Sequence, residues 1–264
     1  MTAKPLIALA MGDPAGISPE LTARLVAQDD IRAQSRLVVI GDRRIFDAGA
    51  RIAGVKPALS TAEPDADLHA AEGEALFVDL GHLAPREVEP KTATLAGGKF
   101  ALTNYKHALE LGRDGRVDAV CFTPFNKQAM RLARAEYDDE IAFSAEVVGL
   151  ETPASEFNVL DRLWNARVTS HIPLRDVAAK LSSERIHRAL KLTDACMRNA
   201  GFARPRIAVA GLNPHAGDGG NFGREEIDVI APVVAAGQAE GIAAEGPFPA
   251  DTVFLRAKAG AFDA

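Results

Sequence analysis

Leu212-Asn213-Pro214-His215-Ala216-Gly217-Asp218-Gly219-Gly220-Asn221-Phe222-Gly223 joins two segments of different periodicity. Residues 206–211 before it form an apolar run of strand length, and residues 224–230 after it begin a helical repeat. The stretch is therefore a strand-to-helix loop. In an open α/β sheet such loops lie at the carboxyl ends of the strands, where the strand order leaves a crevice for ligands, so His215 is placed to face a ligand rather than the core. The glycines at 217, 219 and 220 permit positive φ and close backbone approach, and Pro214 fixes the entry to the turn. A Gly-rich turn with an incidental histidine has the same composition, so a second signal is needed.

That signal is His171. Residues 166–170 read as another short strand, and His171-Ile172-Pro173-Leu174-Arg175-Asp176 as a loop leading into a helix over 177–181. Two of the six histidines thus stand just past a strand and just before a helix. Neutral imidazole is the commonest metal ligand, and a catalytic site takes about three protein ligands with one position left open. Two histidines are one short.

Five segments carry a family resemblance. They are Met11-Gly12-Asp13-Pro14-Ala15-Gly16-Ile17-Ser18-Pro19-Glu20, Pro124-Phe125-Asn126-Lys127, Ser170 to Asp176, Asn213 to Gly220, and Gly246-Pro247-Phe248-Pro249-Ala250-Asp251-Thr252. In that order and spacing the chain resembles the 4-hydroxythreonine-4-phosphate dehydrogenase family of pyridoxine biosynthesis along nearly its whole length. The resemblance implies a two-domain, three-layer α/β fold of the isocitrate and isopropylmalate dehydrogenase type. It further implies a homodimer with its active site near the subunit interface, NAD or NADP as oxidant, and a divalent metal (Zn, Mg or Co) held by three histidines. His171 and His215 match two of those ligands. The expected domains are 1–128 and 129–248, with 249–264 returning toward the first. Family members continue past Phe262–Ala264 into a segment carrying the third histidine and the last elements of the first domain, so that part of the fold is expected to be missing here.

Composition bounds the alternatives. A chain of 264 residues can bury a sizeable core in one large or two smaller domains. Its 47% hydrophobic and 25% charged residues are those of an ordinary globular protein. A net charge of −6 without a Lys/Arg cluster argues against a general nucleic-acid surface. Cys121 and Cys196, both in apolar surroundings, read as buried free thiols. No run approaches the roughly 18–20 apolar residues of a membrane span and no signal segment is visible, so cytoplasm is the expected compartment.

Along the chain, 6–10, 37–41, 76–80 and 118–122 read as strands. Helices are expected over 19–27 with Ser18 as N-cap, 43–53, 97–112 with Gly112 as C-cap, 184–200 and 227–239. His69, His82 and His187 read as solvated, His107 as a helix residue, and Trp164 as a packing residue. Asn126 and Lys127 sit at the end of the strand 118–122. A lysine there can steady a substrate or lower the pKa of its hydroxyl, although a solvated lysine at a helix start looks the same. Where the family has Gly-His-Thr-Glu, counting from Lys127 gives Asp139-Glu140-Ile141-Ala142. Glu140 and Ile141 then stand where the family contacts substrate and its phosphate. Isoleucine offers a phosphate no donor, and a carboxylate repels it. Asp251 is a candidate proton acceptor beside the metal.

These readings favour a metal- and NAD-dependent dehydrogenase acting on a small polar hydroxy acid: the namesake substrate, another sugar-acid phosphate, or an unphosphorylated diol or ring dihydrodiol carboxylate. An acyl or phosphate transferase of related architecture and a non-catalytic remnant are the rivals from other classes.

Overall fold

Leu6–Ala10 forms β1, a continuous apolar strand because helices cover the sheet on both faces. The computed structural model describes residues 4–69, 75–136, 140–151 and 154–264. Contacts group the chain into two units, Met1–Ala154 and Ser155–Ala264.

In the first unit β1 is followed by α1 (Ser18–Ala27), α2 (Asp29–Gln34), β2 (Arg36–Gly41), α3 (Arg43–Ala53), β3 (Ser60–Ala62) and β4 (Ala75–Asp79). Then come α4 (Leu95–Arg113), β5 (Ala119–Phe122), α5 (Lys127–Ala133) and α6 (Glu140–Val148). The five strands are parallel in the order β3-β4-β2-β1-β5. Alternation divides their side chains between two cores. Leu6, Ala8, Val38, Ile40, Leu76 and Val78 pack with Leu102, Tyr105 and Ala108 of α4 and Phe143 of α6. Leu9, Leu37, Val39 and Phe77 pack with Val26 of α1 and Ile45, Phe46 and Ala50 of α3. Each of these larger side chains contributes about 1.5–3 kcal/mol by leaving water. Asp42 caps α3: fully buried, it accepts from the amides of Arg44 and Leu83 and from the Arg44 guanidinium. Burial pushes its carboxyl up, but those donors prevail and hold its pKa at about 2.

The second unit contains the antiparallel hairpin β6 (Asn158–Leu160) and β7 (Leu163–Asn165), then α7 (Val177–Lys180), α8 (Ser183–Asn199), β8 (Ile207–Ala210), α9 (Ala231–Ala239), β9 (Ala244–Phe248) and α10 (Ala250–Lys258). β8 and β9 pair in parallel. Ile186 and Leu190 of α8, Ile207, Val233, Val234 and Ile242 form its core.

Several sequence expectations are corrected. Residues 166–170 are not a strand: the hairpin ends at Asn165, and past it the chain has no ladder partner among the described residues. Ser18 is inside α1, with Ile17 at the cap position, because its hydroxyl turns to the preceding loop. Gly112 lies inside α4, where a Cβ would come 3.0 Å from Val120 Cγ2, and Asp114 ends the helix. By contacts, α5 and α6 pack on α4 and group with the first unit, and residues 249–264 group with the second. Cys121 is exposed on β5 and Cys196 half-buried. His187 pairs with Glu240 at 2.8 Å, and His82 lies stacked on Phe100 with centroids 4.8 Å apart. Among the described residues no helix is long and apolar enough to cross a membrane.

Candidate functional site

The first two resemblance segments meet in the first unit, at the carboxyl ends of the adjacent strands β1 and β5. The amide of Gly12 donates to both Ser18 Oγ (2.8 Å) and Thr123 Oγ1 (3.1 Å), which are themselves 2.6 Å apart. Asp13 N donates to the Pro124 carbonyl at 2.9 Å. The loops touch so closely that a Cβ on Gly12 would stand 2.2 Å from the Thr123 carbonyl oxygen. Asn126 caps α5 by accepting from the Ala129 amide, and its Nδ2 donates to Asp13 Oδ2 at 3.3 Å. Its amide is therefore already engaged in holding the two loops together.

Lys127 opens α5 and its half-exposed Nζ lies 3.5 Å from Glu140 Oε2. Ile141, next in the first turn of α6, is partly buried. One turn on, Ser144 Oγ donates to the Glu140 carbonyl (2.6 Å) and lies 2.7 Å from the Tyr105 hydroxyl. Burial pushes the Tyr105 phenol up. Asp139 lies outside the described residues.

In the second unit two further segments meet beyond β8. Gly211 N donates to the Phe248 carbonyl at 2.7 Å, and α10 packs on the turn that carries His215. That turn is left-handed over five successive residues: φ is 55° at His215, 53° at Ala216, 81° at Gly217, 44° at Asp218 and 65° at Gly219. Three of the five carry a Cβ, each disfavoured there by about 1–2 kcal/mol. Glu226, buried in the π-helical turn Glu226–Ile230, braces it: Oε1 accepts from the amides of Leu212 and Asn213, both at 2.7 Å, and Oε2 from Asn213 Nδ2 at 2.9 Å. Burial opposes its ionisation, but these hydrogen bonds outweigh burial and hold its carboxyl below the ordinary value. Sequence reasoning passed over Glu226, whose only signal is a second carboxylate at the start of the helix after the loop.

His215 is exposed, its ring 6.2 Å from that of Phe222. His171 is also exposed and also left-handed, with φ 54°. Asp251 is exposed in the first turn of α10. The two imidazoles suit a divalent cation in kind, since among the described residues neither is hydrogen-bonded to a protein group. Number is the deficit: no group of three or more His, Cys, Asp or Glu placed to hold a metal occurs among the described residues. An open cleft of about 530 Å³ along α3, lined by Arg43, Asp47, Arg51 and Lys56 among others, involves none of the sequence-selected residues.

Comparison with known proteins places this architecture. The family model described as pyridoxal phosphate biosynthetic protein PdxA matches residues 33–264. A protein of Rhizobium meliloti named as a candidate 4-hydroxythreonine-4-phosphate dehydrogenase 2 is 60% identical over 99% of this chain and 75% of its own length. The crystal structure of 4-hydroxythreonine-4-phosphate dehydrogenase from Klebsiella pneumoniae superposes with a TM-score of 0.87 at 31% identity, covering 100% of this chain and 80% of that one. A terephthalate 1,2-cis-dihydrodiol dehydrogenase from Burkholderia xenovorans LB400 gives a TM-score of 0.65 at 28% identity, covering 96% and 76%. With its parallel α/β sheet, its four paired loop segments and these matches along nearly its full length, the chain belongs to the PdxA family, whose named members are dehydrogenases acting on a hydroxyl group.

Proposed function

We propose that this chain oxidises a secondary hydroxyl of a small polar hydroxy acid with NAD or NADP and a divalent cation, as a cytoplasmic homodimer of the isocitrate and isopropylmalate dehydrogenase architecture. His171 and His215 are the donors it offers the cation (Zn, Mg or Co), which when bound would polarise the substrate oxygen, while the nicotinamide would accept the hydride. Asp251 is the candidate to take the hydroxyl proton: it is exposed in the first turn of α10. Lys127 has N–H groups left over after pairing with Glu140 and can hold a substrate oxygen. Asn126 supports that lysine from the preceding position.

The observation that carries the substrate assignment is how the polar groups of α6 are engaged. The position of the family's phosphate-contacting threonine is Ile141, and the nearest substitute donor, Ser144, already donates to the Glu140 carbonyl. Lys127 is neutralised by Glu140. A phosphate oxygen leaving water needs a donor in exchange, and this helix start offers few. The substrate we favour is therefore a hydroxy acid without the 4-phosphate, such as a diol or dihydrodiol carboxylate. NAD reduction followed on 4-phosphohydroxythreonine and on unphosphorylated diol acids, with the protein metal-stripped and then reloaded, tests each part. Turnover confined to the phosphorylated substrate would refute the substrate reading, and undiminished turnover after metal removal would refute the role of the cation.

A further inference from the structure

We propose that the cleft along α3 is a second binding site, for a small organic anion with an apolar body. None of the residues assigned above to the reaction lines it. The cleft holds about 530 Å³, within the range of roughly 300–1,000 Å³ over which small-molecule sites fall. Phe46 and Ala50, 1% and 8% exposed, form its floor, and Val55 of the following loop adds apolar lining. Arg43 and Asp47 lie toward one end of the helix, Arg51 and Lys56 toward and just past the other. At 1.5 Å of rise per residue, Arg51 stands roughly 12 Å along the helix from Arg43. The two ends differ in charge.

The walls of the cleft are fixed by the fold itself. α3 is pressed so closely on α1 that a Cβ on Gly49 would stand 2.3 Å from the Pro19 carbonyl carbon. At the other end of the helix Gly54, with φ 68°, reverses the chain. Its amide donates to the Arg51 carbonyl at 3.2 Å, and Val55 N donates to the Ala50 carbonyl at 3.1 Å. The reversal places Val55 and Lys56 on the cleft. It also occupies two of the carbonyls that a helix C-terminus leaves open, whose partial negative charge would oppose an anion there.

Charge gives the ligand class. The chain has a net charge of −6, and its cations have carboxylates to spare. Arg24, Arg44, Arg113, Arg198, Arg206 and Arg224 each pair with one at 2.7–3.0 Å. Arg43 follows them, 2.9 Å from Asp47 and 5.5 Å above the centre of the Phe77 ring. Arg51 and Lys56 do not: among the described residues neither has a carboxylate partner. A helix C-terminus favours a solvated cation such as Arg51, but Lys56 lies beyond that end. Two unmatched cations beside an apolar floor are what an amphiphilic anion completes. Its carboxylate accepts from the Arg51 fork and the Lys56 ammonium, while its body displaces water from Phe46, Ala50 and Val55. An inorganic anion leaves the floor wet, and a neutral ring leaves the cations unused.

The experiment is titration of the whole chain with benzoate, benzamide and acetate, followed by backbone amide chemical shifts. Benzoate carries both parts of the ligand, benzamide the ring without the charge, and acetate the charge without the ring. Benzoate is expected to shift the amides of Arg51, Gly54, Val55 and Lys56 saturably, and to bind about tenfold more tightly than either of the others. Replacing both cations, Arg51→Gln with Lys56→Gln, should weaken benzoate about tenfold, the scale of two exposed ion pairs, and leave benzamide unchanged. High salt should weaken benzoate in the parent in the same way. Equal affinity for benzoate and benzamide would show that the cations take no part, and equal affinity for benzoate and acetate that the floor takes none. Either result overturns the proposal, as does a titration in which these four amides do not move. Should the double variant not fold, Lys56→Glu alone decides: weaker benzoate binding supports the site, and parental affinity overturns it.

Discussion

At the carboxyl ends of β1 and β5 the chain is held by short polar contacts between ordinary backbone segments, whereas beyond β8 it is forced through a left-handed turn and braced by one buried carboxylate. In the first place Ser18, Thr22 and Thr123 form a buried hydroxyl cluster, tied to Gly12 N and to the Ala10 and Ser18 carbonyls. In the second, Glu226 meets the Leu212 and Asn213 amides, and His215 is presented on residues with φ near +55°. Strained backbone of this kind is kept where surrounding structure over-determines it, which is characteristic of functional sites. On the proposed role of His215, the β1–β5 crossing would supply rigidity and the β8 turn the reactive group.

The largest effect that would break this contrast is expected at His215. Replacing it with Ala should lower kcat/KM by about a thousandfold or more if the ring is a ligand, an interaction a neighbouring group cannot replace. Because the ring is exposed, the unfolding midpoint should stay within about 2 °C of the parent. Kinetics and thermal melts on one preparation check both halves, and a large loss of stability would mean that the turn is structural. A companion measurement is the geometry of the zinc-loaded protein: His171 and His215 nitrogens are expected about 3–4 Å apart, as Zn–N bonds near 2.1 Å require. A spacing beyond metal-bridging distance would remove the shared site.

Gly12→Ala tests the opposite region. Its Cβ would meet two backbone carbonyl oxygens, at 2.2 Å and 2.3 Å, neither of which can swing aside as a side chain could. Overpacking of this kind costs about 3 kcal/mol. Urea unfolding should show it, and a cost below about 1 kcal/mol would mean that the crossing is looser than its hydrogen bonds indicate.

A slightly smaller effect comes from pH. Asp42 has its pKa lowered from 3.8 to about 2 in the folded chain, so the unfolded state binds the proton more readily. Its contribution is full above the unfolded value and is lost as pH falls through the folded one. Between about pH 4 and pH 2 the parent should lose about 2 kcal/mol that Asp42→Asn does not lose. Parallel slopes for the two proteins in acid urea titrations would show that the α3 cap is not charge-dependent.

How much of this was legible depended on the range of the forces involved. β1, β2 and α3 were readable because continuous apolar runs and a helical period are local consequences of burial on two faces. The role of Ser18 was not, since the hydroxyl that draws it away from capping belongs to Thr123, 105 residues along the chain. Likewise the glycines of the His215 loop announced a tight turn, but a left-handed backbone at His215, Ala216 and Asp218 depends on the Glu226 carboxylate and on packing from α10. The strand expected at 166–170 failed for a related reason: β-rich composition describes a residue's fit to a sheet, and among the described residues no strand pairs with it.

The smallest effect concerns substrate choice, and it returns to the rigid half of the molecule. Glu140 lies 3.5 Å from Lys127, and Ile141 beside it offers no donor. Restoring the family pattern with Glu140→His and Ile141→Thr would free the lysine and add a hydroxyl and an imidazole, three changes that all favour an anionic ester over a neutral group. Both side chains lie in the first turn of α6, so the introduced donors would stand at the positive end of the helix. The expected outcome is a rise of about tenfold in the ratio of kcat/KM for phosphorylated over unphosphorylated substrate, or about 1.4 kcal/mol, the scale of one or two added charge-assisted hydrogen bonds at a solvated site. The single change Ile141→Thr should give the smaller part, because Glu140 would still neutralise Lys127 and repel the phosphate. An unchanged ratio in the double variant would show that α6 does not touch the group on the substrate's far end. The preference for phosphate would then have to be set elsewhere in the chain, and the contrast between a specificity-setting first unit and a reactive second unit would no longer hold.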